Sequence, residues 1–217
     1  MTIENGSHME RQTTHDAVGG KATRIGSDEG LDMLRNQSLH DLGRRADTVR
    51  KQLHGNVAYY NVNRHINYSN ICKTQCRFCS FSRKLGEEGA FELTLEEILE
   101  RAQEAAESGA TELHIVGGNH PSLSFEFYID MLRELSRQFP SIHLKCFTAS
   151  EIDHFSQIAG LEIDEILHRL VEAGLNSMPG GGAEVASERI RRALCPDKIG
   201  MDRWLDIHQA APRMGIR

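Results

Sequence analysis

The chain has 217 residues, 39% of them hydrophobic and 26% charged, which is enough for one domain with a sizeable core. Lys and Arg number 25 against 31 Asp and Glu, a net charge of −6, and that balance speaks against a protein holding nucleic acid through its phosphates. No apolar run approaches the roughly 18 residues of a membrane span, and five unevenly spaced cysteines make no disulfide framework.

Residues 1–27 are polar and lack the apolar stretch of a secretion signal, so a tail without stable structure is expected there. Free thiols in a chain without such a signal point to a reducing cytoplasm. Residues 28–55 read as a helical segment, with Leu39, Leu42, Ala46, Val49 and Leu53 recurring at three- and four-residue steps. The remaining core, 56–217, opens on a strand within VAYYNVNRHINYSNI, which runs into Cys72, Cys76 and Cys79. Thr94 with Glu97 three residues on is a capping box, and Leu95, Ile98, Leu99, Ala102, Ala105 and Ala106 form the stripe of the helix that follows. ELHIV is a short buried strand ending in Gly117-Gly118. A helix through Phe125 to Leu135, the strand IHLKCF, a helix through Ile163 to Val171, a strand in LNSMPGGGAE and a last helix around Trp204 to Met214 complete the order.

This alternation of strand and helix predicts an α/β fold with parallel strands and right-handed crossovers. Either a doubly wound sheet or a (β/α) barrel satisfies it, and the loops after the strands carry the cysteines and glycines, where a barrel keeps its active site. Four strands are too few to close such a barrel. Read as a barrel, the chain is a partial (β/α) TIM-like one, truncated after its fourth βα unit, with Gly215-Ile216-Arg217 opening a further strand; a doubly wound sheet stays open.

Cys72, Cys76 and Cys79 form CxxxCxxC. Three thiolates this close can hold three irons of a cubic 4Fe-4S cluster and leave the fourth iron open to a small chelating molecule. The competing reading is structural zinc, which wants four ligands, usually as two pairs; here one triplet stands with only His65, on the expected strand, as a fourth. A non-catalytic iron-sulfur module is a further alternative, against which the glycine loops speak. Cys146, inside an apolar strand, and Cys195, before a proline, are not expected to be ligands.

The triplet with Phe78 inside it, followed by the Gly117-Gly118 turn, resembles the radical S-adenosylmethionine superfamily. Further stretches, GGNHP from Gly117, LKCFTASEI from Leu144, LNSMPGGGAE and CPDK, are similar to its menaquinone-futalosine branch. Within that branch, Asn119 and Phe147-Thr148-Ala149 resemble aminofutalosine synthases more than the cyclic dehypoxanthine futalosine synthases, which tend to read GGLHP with a Ser-Pro after the third strand. The resemblance implies a TIM-like radical enzyme that consumes S-adenosyl-L-methionine. Its deoxyadenosyl radical would add to the aryl enol ether 3-[(1-carboxyvinyl)oxy]benzoate, with loss of a carboxylate. A reduced flavodoxin- or ferredoxin-type electron donor is implied too, with neither nucleic acid nor membrane as partner.

By the same resemblance Cys72, Cys76 and Cys79 would hold the cluster and Phe78 would line the adenine. Gly117 and Gly118 would meet the methionine amine, and Lys198 its carboxylate. Glu184, beyond Gly180-Gly181-Gly182, would take the ribose hydroxyls, with Gly181 letting the backbone approach. Asn119 stands where many members carry an acid; it and His120 are candidates for catalytic residues, although His120 before Pro121 is also simple turn chemistry. Thr148, Ser150 and Glu151 read equally as ribose or substrate contacts and as the cap and first turn of a helix.

Overall fold

A computed structural model describes residues 24–217, so the tail expected over 1–27 falls outside the described residues up to residue 23. The chain divides after Tyr60 into two compact units, five residues beyond the boundary expected from composition. In the first unit the expected single helix is two, α1 (Ser27–Asn36) and α2 (Leu39–His54). The break has a local cause. Gln37 is extended, and the Ser38 hydroxyl accepts from the Asp41 N–H, which starts a new helix where the apolar spacing alone continues the old one. Arg45 and Glu29 pair at 2.5 Å between the two helices.

The second unit, Asn61–Arg217, carries a parallel sheet in the order β1 (Asn63–Ile66), β2 (Glu112–Ile115), β3 (His143–Cys146). The crossovers are α3 (Leu95–Glu107) and α4 (Phe125–Gln138). The Thr94–Glu97 capping box forms as the sequence predicts. Ile66, Leu113, Ile115, Leu144 and Cys146 all point to one face and are buried there against the apolar stripes of the helices. The rings of Tyr128, Phe147 and Phe155 interlock on that side, with centroids 4.2 to 5.8 Å apart.

The expected fourth strand is present only as a bridge between Lys145 and Ser177. The Asn176 side-chain oxygen accepts the Leu144 N–H at 2.7 Å and takes the place of a ladder acceptor, and Pro179 offers no N–H to continue. Met178 N–H donates to the carbonyl of Arg217 at 2.9 Å, so the last residues do run alongside this segment.

Between β3 and the expected helix α6 (Ile163–Ala173) lies a helix that the periodicity did not reveal, α5 (Ala149–Ala159). Its first seven residues, Ala149 to Phe155, are all buried. Four of them, Ser150, Glu151, Asp153 and His154, are polar, so buried and polar positions do not separate into two faces and the 3.6-residue signal is lost. Two helices follow α6, the short α7 (Glu188–Leu194) and α8 (Met201–Arg213), the first of them also unexpected. None of the helices is long and apolar enough to cross a membrane, among the described residues.

Phe155 is fully buried at the centre of the aromatic cluster. Phe155→Ala is expected to cost about 3–5 kcal/mol of stability, read as a fall in the urea midpoint; a loss under about 1 kcal/mol would contradict this packing.

Candidate active site

The C-terminal ends of the three strands open on one cleft of about 260 Å³. Cys72, Cys76 and Cys79 line it, half-buried, together with Phe78, Gly117, Gly118, Asn119, Thr148, Ser150, Glu184 and Lys198. Residues more than a hundred positions apart thus meet at one place.

The cysteine loop is fastened on both flanks. Cys72 N–H donates to Arg83 O at 3.0 Å and Arg83 N–H to Asn70 O at 2.9 Å, so the loop returns on itself as a narrow ladder. The Asn70 side chain accepts from Phe91 N–H and donates to Gly89 O, closing the loop's far end. Lys73 N–H donates to Asn119 O, which ties the loop to the turn after β2. That turn has to be glycine. A Cβ on Gly117 would lie 2.5 Å from the Tyr68 ring, and one on Gly118 would strike the Ile71 carbonyl and Cys72 Cβ.

Asn119 is buried among polar atoms. Its side-chain amide donates to Thr74 Oγ1 at 3.1 Å and Ser150 Oγ at 3.2 Å, and its backbone N–H points at Cys72 Sγ at 3.3 Å. Burial pushes the Cys76 thiol up to about 11 despite Lys198, with Cys195, Cys72 and Cys79 adding to the rise. A thiolate at Cys76 therefore needs a cation on the sulfur, which iron would supply. Among the described residues no three Cys, His, Asp or Glu side chains gather around a single ion position. A cubic cluster takes each thiolate on a separate iron, so convergence on one point is a zinc requirement and not a cluster requirement. The residues present fit the cluster.

Glu151 joins the strand ends. Fully buried, its carboxylate accepts from Tyr68 Oη at 2.8 Å and Gly117 N–H at 3.0 Å on one oxygen, and from Thr148 N–H at 2.7 Å and Thr148 Oγ1 at 2.8 Å on the other. Thr148 in turn caps α5 with Glu151 as the reciprocal partner, so the capping reading of this pair is realised while both still line the cleft. Phe147 just before them has φ +61, rare for a bulky side chain, and this kink carries the chain out of β3 into the cap.

Three expected contacts sit differently from the sequence reading. His120 does not line the cleft. It is fully buried, its Nδ1 accepts from the N–H groups of Ser122 and Leu123, and its Nε2 lies 2.7 Å from Glu92. Burial lowers its pKa against the pull of Glu92, and Nδ1 is occupied by the two backbone donors. Gly181 packs on Thr148 and accepts from Trp204 Nε1, whereas Gly182, at φ +98, is the glycine that lines the cleft. Glu184 and Lys198 pair with each other at 2.6 Å. Cys146 is buried in β3, whereas Cys195 is buried beside the triplet's loop, near enough to Cys76 to raise its pKa, and Arg77 N–H donates to the carbonyl of its neighbour Leu194 at 2.8 Å.

Comparison with known proteins accords with this geometry. The family model of the radical SAM superfamily matches residues 66–217. The chain belongs to the radical SAM superfamily. Enzymes of this superfamily use a 4Fe-4S cluster and S-adenosylmethionine, and in this chain the cysteine triplet and the cleft beside it are the residues that would hold them. The aminodeoxyfutalosine synthase of Thermus thermophilus is 40% identical over 193 residues, which are 89% of this chain and 52% of that one. The 5-amino-6-(D-ribitylamino)uracil–L-tyrosine 4-hydroxyphenyl transferase of Methanopyrus kandleri is 40% identical over 204 residues, 93% of this chain and 55% of that one. The chain thus spans about half the length of these curated relatives. Methylornithine synthase shares the fold, with a TM-score of 0.67 at 19% identity over 90% of this chain and 54% of that one.

Sequence reading missed Arg191, a buried arginine on α7. Its guanidinium donates to the carbonyls of Ala183, Val185 and Ile199 and so holds the glycine loop beside the cleft. Nothing in ERIRRAL distinguishes this arginine from its exposed neighbours.

Two outcomes are expected. Gly118→Ala should abolish cluster uptake, read as iron per chain after anaerobic reconstitution, because Ile71 and Cys72 must move to admit the methyl group; full iron content would refute the close approach. Glu151 has its pKa raised by burial, which outweighs its donors. The folded state then binds a proton more tightly than the unfolded one. Stability from this group is present at low pH and falls as pH rises from the ordinary carboxylate range through the raised value. Glu151→Gln should remove that part of the slope in the stability–pH profile.

Proposed function

We propose that the protein is a radical enzyme of the aminodeoxyfutalosine synthase type, acting in menaquinone biosynthesis. It joins the deoxyadenosyl group of S-adenosylmethionine to 3-[(1-carboxyvinyl)oxy]benzoate, with loss of the enolpyruvyl carboxylate as carbon dioxide or bicarbonate, to give 6-amino-6-deoxyfutalosine. The observation that carries this reading is that the two stretches resembling the synthases, Gly117 to Pro121 and Lys145 to Ala149, supply Asn119 and Thr148 to the one cleft that holds the cysteines.

Cys72, Cys76 and Cys79 would hold a 4Fe-4S cluster, which when bound would supply the electron for cleaving the sulfonium carbon–sulfur bond, with a reduced flavodoxin- or ferredoxin-type protein as its source. The chain binds and orients. Phe78, half-exposed at the rim of the cleft, offers a ring face to adenine. Lys198 takes the methionine carboxylate in exchange for Glu184, which is thereby released toward the ribose hydroxyls. Gly117 and Gly118 bring backbone close to the methionine amine, and Ser150 and Thr148 stand opposite. Asn119 fixes the floor through Thr74 and Ser150. Their common effect is to keep water and stray hydrogen donors from a reactive carbon.

The 4-hydroxyphenyl transfer named for the Methanopyrus relative is the second reading, since that relative matches to the same degree. Full-length protein, reconstituted anaerobically and reduced, separates them. A 4Fe-4S paramagnetic signal that changes on adding S-adenosylmethionine is expected, followed by an adenine-containing adduct of the enol ether. An adduct formed from 5-amino-6-(D-ribitylamino)uracil and L-tyrosine instead would replace the first reading with the second. Zinc in place of iron would sink both.

A further inference from the structure

Parallel sheets inside α/β domains are commonly apolar on both faces. This one is apolar only toward the helices. Alternation puts Asn63 and His65, Glu112 and His114, His143 and Lys145 on the opposite face, and the register sets His65, His114 and Lys145 side by side in one row. The same face continues upward through Val116, which lines the cleft. The row therefore lies one inward-facing position, about 7 Å, below the cleft floor.

The row is built to offer donors. The His65 and His114 rings stack with centroids 4.8 Å apart and planes 14° from parallel, and the Asn67 amide 3.3 Å from His65 Nε2 leaves Nδ1 of that ring to carry its N–H. Burial, with His65 and Lys145 beside it, lowers the pKa of His114, and a neutral ring still offers one N–H without repelling its neighbours. Lys145 stands 3.4 Å from Glu112 Oε1, a longer contact than the ~2.7–2.9 Å of a charge-assisted hydrogen bond. That same carboxylate oxygen is held at 2.6 Å by the Asn63 amide. The ammonium thus retains donors to spare. Among the described residues lining the cleft, Lys198 is the one cation, and Glu184 occupies it. An anionic aromatic substrate brings a carboxylate that nothing in the cleft itself can neutralise.

We propose that Lys145, flanked by the imidazole edges of His114 and His65, is the subsite for the ring carboxylate of an aromatic substrate whose reacting end lies in the cleft. The aromatic ring spans the step between them. The inference rests on the proposed enol-ether substrate for its ligand, and the site itself rests on the row of side chains.

The test is calorimetric binding of 3-hydroxybenzoate, and of neutral 3-hydroxybenzamide, to full-length reconstituted protein with S-adenosylmethionine present. The wild type should prefer the benzoate. Lys145→Met should weaken the benzoate roughly 10- to 100-fold and leave the amide unchanged, and Lys145→Arg should retain the preference. Glu112→Gln, which removes the competing carboxylate, should tighten the benzoate several-fold. Equal affinity of wild type and Lys145→Met, or no preference for benzoate over amide in the wild type, overturns the proposal. Lys145-dependent benzoate binding in a protein that does not turn over the enol ether upholds the subsite and removes the reaction instead.

Discussion

The active end of the sheet depends on one buried carboxylate. Glu151 accepts hydrogen bonds from Tyr68, Gly117 and Thr148, which follow β1, β2 and β3 in turn. Burying an acid without partners costs several kcal/mol, and four donors on two oxygens are what make it tolerable here. The result is a clamp just beyond the strands, which stop at Ile66, Ile115 and Cys146, and it adds to the single backbone bonds from Phe147 N–H to Ile115 O and from Gly118 N–H to Ser69 O.

The cysteine loop shows a related economy. A long excursion between β1 and α3 would carry many unpaired backbone groups, and it is instead folded into a short ladder around Asn70, Cys72 and Arg83. Its tie to Asn119 through Lys73 N–H, and the Asn119 N–H on Cys72 Sγ, couple the metal ligands to the glycine turn. His120 belongs to this scaffold. With its Nδ1 saturated by two backbone donors and its carbonyl taken by His154, it holds the loop before α4 in shape.

Much of this was legible in the chain. The cysteine spacing, the Gly-Gly turn after a buried strand and the Thr94 and Thr148 capping boxes are short-range patterns whose chemistry needs only neighbouring residues. The crossover order followed from hydrophobic periodicity wherever a helix has one dry face, as α3, α4 and α6 have. It failed at α5, whose opening turns are buried all round, and at the fourth strand, where the Asn176 side chain displaces a backbone partner.

By itself the sequence determined which atoms can bind metal, where the backbone must be bare of Cβ, and the α/β alternation that brings strand ends to one side. These depend on local covalent chemistry and on burial of one face at a time. Only the tertiary structure decided that His120 faces Glu92 and not the cleft, that Gly182 rather than Gly181 meets it, and that Glu184 and Lys198 neutralise each other. It also decided that Lys145 and two histidines form a row. Such pairings join residues 14 to 80 positions apart, and the direction of a side chain across that separation is set by packing and register, which no local pattern encodes.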